Sequence, residues 1–403
     1  MLFLFLVIRK VHHSKTFNRS MFCGFLFYLH YIYFINFIVT MKGNKYLNYF
    51  FNPLDSLRTK ELLQVNPTII PERNEIVESK ISLIEFSNQD FEFQKLKNIE
   101  DCYKHLHNEK VSWINIDGIK KTEVEKICNY FGVHPLIVED VLSVSQRPKM
   151  DDINGLVFCV LNMLYFDEKS IGIETEQISI ILGKNFIISF QEDANRDVFD
   201  AVREKIKMNN SKVRQSGADF LYYTLIDSIV DHYFLVMEKL GEKIEALEED
   251  IIKSPDNRTL VKINAIRKEL ILLKRNIGPV RELIHGMVKS ESELFEDKTE
   301  KYFKDVYDHT VQANDLAENY RDMMINLHDL YMSGVNLKQN DAMKWMAIVT
   351  CLLAPATVIG AIFGMNFEKI PLLHNKWGFL VCVAVMVFTP VWMWFYFKRK
   401  KWF

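Results

Sequence analysis

Hydrophobic and polar positions change rhythm along this chain. From about Ile76 to Phe190, short β-branched and aromatic runs alternate with amphipathic stretches. Val77–Leu83 and Ser112–Ile116 read as strands, and Lys121–Tyr130 as a helix. Pro135 opens a second helix, Leu136–Leu142. Leu156–Tyr165 and Ile178–Phe190, bounded by Gly155, Gly172 and Gly183, read as strands. Strands mixed with helices predict an α/β domain. After about Asp193 the period is helical throughout. Ala218–Ile252 is one amphipathic run, with Asp227 and Asp231 four apart on one face. Ser254-Pro255-Asp256-Asn257 stops it, because proline breaks a helix and Asp or Asn caps the next. Leu260 to about Ser290 is a further helix. Another starts near Tyr302 and continues, past Gly334, into an apolar segment. At 1.5 Å per residue it would run on the order of 80 Å. A lone helix of that length is marginal, which predicts a packed stalk.

The pattern then turns uniformly apolar. Trp345–Phe367 and Trp377–Phe397 contain no charged side chain. Each is long enough for a bilayer core, which takes about 20 residues. A short loop joins them, so they predict a membrane hairpin. Lys398-Arg399-Lys400-Lys401 follows directly and places that end on the cytoplasmic side by the positive-inside rule. A hairpin returns to the side it left, so the domain before Trp345 is expected in the cytoplasm. Met21–Thr40 is a third uncharged run, but Arg9, Lys10, Lys15 and Arg19 precede it and Lys42 and Lys45 follow, so charge gives it no orientation. Three readings fit it: a third membrane helix, a signal-like segment, or upstream sequence ahead of a true start at Met41. Its Phe, Tyr, Ile and Asn richness favours the last.

Composition narrows the class. The formal net charge is -2, so nothing suggests nucleic-acid binding. Charged residues make up 25%, as in an ordinary aqueous protein, so the membrane part is the minor one. None of the six cysteines forms a Cys-x-x-Cys pair, and Cys351 and Cys382 lie inside the apolar segments. They read as reduced, buried thiols and not as a disulfide or zinc framework. There is no Gly-x-x-x-x-Gly-Lys-Ser/Thr phosphate loop and no evident nucleophile–base pair. An enzyme is not expected.

The first apolar segment carries a stripe. Asn340, Met343, Ala347, Thr350, Ala354, Thr357, Ala361 and Gly364 recur at alternating steps of three and four, and all but Met343 are small or polar. The residues between them are mostly large. Such a face lets helices approach closely. Its hydroxyl and amide groups also offer oxygen to a hydrated ion. A dry packing face fits the same residues. Pro355 sits mid-helix and frees a carbonyl.

At the end of this helix the chain reads Phe363-Gly364-Met365-Asn366-Phe367. It resembles the CorA family of divalent metal-ion channels, whose motif is Tyr-Gly-Met-Asn at this place. His134-Pro135-Leu136-Ile137-Val138-Glu139-Asp140 with Gln146-Arg147-Pro148-Lys149 is similar to the family's soluble-domain landmark. Tyr302-Phe303-Lys304-Asp305-Val306-Tyr307-Asp308-His309 resembles the start of its stalk helix, and Tyr396–Trp402 its terminus. The resemblance covers roughly residues 76–403. It departs in two places. The loop reads Ile370-Pro371-Leu372-Leu373 where relatives often have Met-Pro-Glu-Leu, and Ala354 stands where many have Met.

The resemblance implies an α+β membrane protein, a homopentameric funnel in a cell (inner) membrane. Its parts would be a doubtful extension 1–40, a leader 41–75, a cytoplasmic α/β domain 76–200, a helical stalk 201–344, membrane helices 345–366 and 377–397 around an extracytoplasmic loop 367–376, and a basic tail 398–403. It implies passive Mg2+ influx, extending to Co2+ or Ni2+, without an organic cofactor and with Mg2+ as both substrate and regulator. Gly364, Met365 and Asn366 would form the selectivity filter. Thr350 and Thr357 would line the pore, and Asn340, Met343 and Met346 its cytoplasmic constriction. Glu139, Asp140, Asp227 and Asp305 would hold regulatory Mg2+ between soluble domains. A zinc or other transition-metal transporter on this scaffold is the near alternative, although such metals favour His or Cys, which the stripe lacks. A membrane-anchored sensor or interaction protein is the distant one.

Overall fold

The computed structural model describes residues 79–105, 110–144, 146–168, 172–193, 196, 198–365, 377–400 and 402. Met21–Thr40, the leader, Asn366 and the loop 367–376 lie outside the described residues.

Seven strands form one mixed sheet: β1 (Lys80–Phe86), β2 (Phe91–Leu96), β3 (Val111–Asp117), β4 (Lys149–Ile153), β5 (Leu156–Asp167), β6 (Gly172–Leu182) and β7 (Phe186–Gln191). Their order is β2-β1-β3-β7-β6-β5-β4. Only β3 and β7 pair in parallel, with Trp113 beside Ile187 and Ile116 beside Phe190. The other neighbours are antiparallel. Asn154 and Gly155, both at positive φ, make the tight turn between β4 and β5.

The expected single strand Ile178–Phe190 is instead a hairpin. β6 stops at Leu182, the Gly183 N–H donates to the Phe186 carbonyl (2.9 Å), and β7 runs back against it. Both arms are buried and apolar next to the turn, and the exposed Lys184 and Asn185 between them are its polar mark. Gly183 is there because the Phe186 ring folds over it: a methyl at Gly183 would stand 2.3 Å from that ring. The ring in turn packs on Phe131, centroids 4.5 Å apart.

The sheet is apolar on both faces, with the period-two alternation of a strand buried on both sides. Ile114, Ile116, Phe158, Val160, Ile188 and Phe190 face α1 (Lys121–Tyr130) and α2 (Pro135–Leu142). Trp113, Val157, Cys159, Leu161, Ile180 and Ile187 face the long helices. Burying one such side chain contributes roughly 1.5–3 kcal/mol, so neither face folds without its helical cover.

Short helices α3 (Asp200–Lys207) and α4 (Lys212–Gln215) lead into α5 (Ala218–Lys253), α6 (Asn257–Val288) and α7 (Asp297–Phe363). The α5–α6 break falls at the expected turn, where the Asp256 carboxylate accepts from the Thr259 N–H (2.9 Å). α7 begins five residues ahead of Tyr302. Its start is fixed by buried Asp219 of α5, which accepts from the Glu296 N–H (3.1 Å) and the Thr299 hydroxyl (2.6 Å). The helices are also tied to the sheet by polar contacts: Glu269 accepts from the Ile173 N–H (2.7 Å) and Tyr233 donates to the Asn162 carbonyl (2.6 Å). α7 has 67 residues, about 100 Å at the standard rise. Its last third and α8 (Gly378–Arg399) are the candidate membrane spans, and nearly all of their surface is open in the single chain.

Gly183→Ala is expected to force the Phe186 ring off Phe131 and cost about 1–3 kcal/mol. Thermal unfolding should show the loss, and in a Phe186→Leu background the same substitution should cost far less. Equal losses in both backgrounds would contradict the ring-over-glycine account.

Candidate functional site

The stripe read from the sequence is one continuous exposed face of α7. Asn340, Met343, Ala347, Thr350, Ala354, Thr357, Ala361 and Gly364 are all exposed in the single chain. α8 packs against the other side, where Ile348 is buried and Leu352, Pro355 and Ile359 are half-buried. At 3.6 residues per turn, these two sets lie on opposite sides of the helix. Met346, 72% exposed, shares the stripe side with Met343.

Local chemistry tunes the stripe. The Thr350 hydroxyl donates to the Met346 carbonyl (2.8 Å), and the Thr357 hydroxyl to that of Leu353 (2.9 Å). With each hydrogen turned back onto the helix, the oxygen lone pairs are left facing outward. The stripe therefore presents acceptors, which suit a cation or the hydrogens of its hydration water. α7 ends at Gly364, whose N–H donates to the Gly360 (3.0 Å) and Ala361 (3.2 Å) carbonyls. Met365 is half-exposed, and Asn366 lies outside the described residues. At the far end of α8, the Lys398 ammonium sits over the Trp394 ring (5.3 Å), and Trp402 stacks on Phe397.

A second constellation lies in the helical part. Asp227 and Asp231 of α5 and His309 of α7 bring ligand atoms within 4.8 Å of one another. Two carboxylates and an imidazole at that separation can each offer a cation one ligand atom. Burial, and then the Asp231 charge, push the Asp227 pKa above the usual carboxylate value, while Lys205 and His309 pull it down. The Tyr223 phenol stands among these acids: burial, then Asp227 and Asp305, raise its pKa. Asp305, one turn before His309 on α7, is exposed.

Of the four expected regulatory acids, the chain thus brings Asp227 and Asp305 into one neighbourhood. Glu139 and Asp140 are elsewhere, on α2, across the sheet from the long helices. Asp140 pairs with Lys149 of β4 (2.6 Å), and Glu139 is exposed beside a groove lined by Lys121, Glu125 and Asn129. α2 is held by its own cap: the His134 imidazole accepts from the Leu136 N–H (3.2 Å). Sequence reasoning did not assign Asp231 or His309 to this cluster. The signal was available, since Asp227/Asp231 and Asp305/His309 are both i,i+4 pairs, but only the packing of α5 on α7 makes them one site.

The family model described as CorA-like Mg2+ transporter protein matches residues 108–399. The chain is 40% identical over 324 residues to the cobalt/magnesium transport protein CorA of Thermotoga maritima, covering 80% of this chain and 92% of that one. It is 29% identical to the putative metal ion transporter YfjQ of Bacillus subtilis, covering 77% and 96%. Among solved structures, the CorA magnesium transporter of Methanocaldococcus jannaschii matches with a TM-score of 0.67 at 21% identity, over 80% of this chain and 98% of that one.

The Asp227 shift fixes a sign for pH. A carboxylate whose folded pKa is raised binds its proton more tightly when folded, so its charge costs stability at neutral pH. That cost disappears as pH falls through the raised pKa towards the ordinary one. In chelator-containing buffer, Asp227→Asn should melt above wild type at pH 7, and the difference should shrink as pH falls into the carboxylate range. A difference that stays constant with pH would contradict the burial and repulsion assigned to Asp227.

Proposed function

The chain belongs to the family of CorA-like Mg2+ transporter proteins, and on that premise we propose that it is a passive Mg2+ channel regulated by Mg2+ itself. The observation that carries the reading is the acceptor-lined stripe of α7, exposed along its length and opposite the side that α8 covers. Copies of the chain meeting around that stripe enclose a polar path. Such a channel is a homopentamer in the cell membrane, with the soluble domain and the basic tail in the cytoplasm.

Mg2+ holds its water tightly and prefers oxygen. A ring of Asn366 amides beyond Gly364 and Met365 binds the hydrated ion through its water, firmly enough to select and weakly enough to release. Thr357 and Thr350 continue the acceptor path. Met343 and Met346, with Asn340 beside them, form a constriction that closes by dewetting when the ring narrows. The stripe carries no His or Cys, which fits Mg2+, with Co2+ or Ni2+ as further cargo, better than a zinc-selective path.

Regulation follows from where the acids lie. Glu139 and Asp140 on α2, and Asp227 and Asp305 on the other side of the sheet, are too separated within one chain to share an ion. They meet across neighbouring soluble domains, where facing carboxylates repel until a cation bridges them. High cytoplasmic Mg2+ then holds the ring shut, and its loss loosens the assembly.

Purified protein in vesicles holding a Mg2+-sensitive dye should take up Mg2+, and Asn366→Ala should lower uptake roughly tenfold or more, equivalent to at least about 1.4 kcal/mol at the filter. No uptake by folded wild type would contradict the channel. Asp140→Lys with Asp305→Lys should conduct whether or not cytoplasmic Mg2+ is present. Retention of wild-type closure in that double variant would sink the regulatory assignment.

A further inference from the structure

The turn between α5 and α6 ends against α7 just before the membrane. Pro255 seats on Gly334 so closely that a methyl there would stand 2.8 Å from its Cγ and 3.2 Å from its Cβ. Lys338, one turn further on, donates to the Pro255 carbonyl (3.1 Å) and the Ser254 hydroxyl (3.4 Å). Tyr331, one turn earlier, is buried. Among the described residues, 336–343 are all exposed, Lys344 is half-buried, and the next buried position on α7 is Ile348, against α8. Lys338 is about 10 Å along the helix from Trp345, where the uncharged span starts. Among the described residues, the turn is thus the last contact of the α5–α6 hairpin with the helix that carries the stripe.

α5 also spans the two regions that have to communicate. Asp227 lies towards one end and Pro255 follows the other, about 40 Å away along the helix. Between them α5 and α7 share one buried core, to which Tyr233, Leu240 and Leu247 of α5 and Val306, Ala313 and Met324 of α7 belong. Gly241 makes a second close approach, since a methyl there would stand 2.6 Å from the Tyr320 hydroxyl. A helix packed this way moves as a rod, because a close-packed interface switches between arrangements instead of bending continuously.

We propose that the Pro255–Gly334–Lys338 contact is a clasp that holds α7 to the α5–α6 hairpin in the closed channel and must part for the pore to open. It rests on the channel reading above. Gly334 is a glycine because a side chain there would strike the Pro255 ring. Lys338 adds a charged hydrogen bond that is remade when the hairpin returns.

The test locks the clasp in the full-length protein. Pro255→Cys with Gly334→Cys, in a background with Cys351 and Cys382 replaced by Ala, places Cβ atoms close to the roughly 3.5–4.5 Å a disulfide needs. Mass spectrometry of linked peptides verifies the bond. In dye-loaded vesicles, the oxidised pair should respond to removal of cytoplasmic Mg2+ at least about fivefold more slowly than the reduced pair, the lower end of typical coupling between sites. Dithiothreitol should restore it. Equal opening of oxidised and reduced protein would overturn the clasp. Wild-type vesicles that take up no Mg2+ would instead remove the channel reading beneath it. Should the cysteine pair not fold, Lys338→Met decides: Lys338 is exposed, so the fold survives, and about fivefold more cytoplasmic Mg2+ should be needed to shut the channel. An unchanged closing concentration would overturn the proposal.

Discussion

Two hydroxyls on one face of a membrane-length helix are matched better by water or protein than by hydrocarbon, and the rest of this protein is arranged around that face. Polar groups without partners are costly in lipid. Thr350 and Thr357 reduce their cost by donating to carbonyls one turn back, yet their remaining lone pairs point outward. α8 does not help, since it covers the opposite side of α7. The chain alone therefore leaves its stripe open to water, lipid or further copies of itself. Small residues at Ala347, Ala354, Ala361 and Gly364 let those copies come near without filling the space between them.

The soluble part reads as the means of controlling that space. One continuous helix, α7, carries Asp305 and His309 near its start and the stripe near its end, with no proline before Pro355. The sheet braces α5 and α6, and these brace α7, through an apolar layer running from Trp113 and Leu161 to Ala313 and Leu327. A displacement at the acidic end is therefore not absorbed locally. Asp227 already carries an energetic bias: buried and next to Asp231, it holds its charge at a cost that a cation or a proton relieves. The same helix, α5, thus holds this acid towards one end and is followed at the other by the turn that touches α7 next to its apolar span.

Much of this was legible in the sequence, and the failures have physical causes. The helices and the apolar hairpin follow from long periodic runs, and the α5–α6 turn from its Pro and Asp signals. β2 and β4 were not anticipated because they are short edge strands, and FEFQKL and KMDDI lack the continuous apolar run of the inner ones. The β6–β7 turn did have a local signal, Gly183-Lys184-Asn185 between two apolar runs, but one so short that the two runs read as a single strand. The start of α7 depends on Asp219, 77 residues before Glu296, and no local pattern carries that. At the site, the stripe was readable because it repeats on a single helix. The Asp227–Asp231–His309 cluster was readable only in halves, since tertiary packing joins them.

The central claim is that the stripe faces water in the assembled protein, and thiol accessibility tests it directly. With Cys351 and Cys382 replaced by alanine, Thr357→Cys and Thr350→Cys should each react with a charged, water-soluble thiol reagent in vesicles and lose Mg2+ uptake as they do. Phe388→Cys, on the exposed face of α8, should neither react nor lose uptake. Reaction at Phe388 with protection at both threonine positions would mean that the stripe is a dry packing face, and the account of a pore would fail.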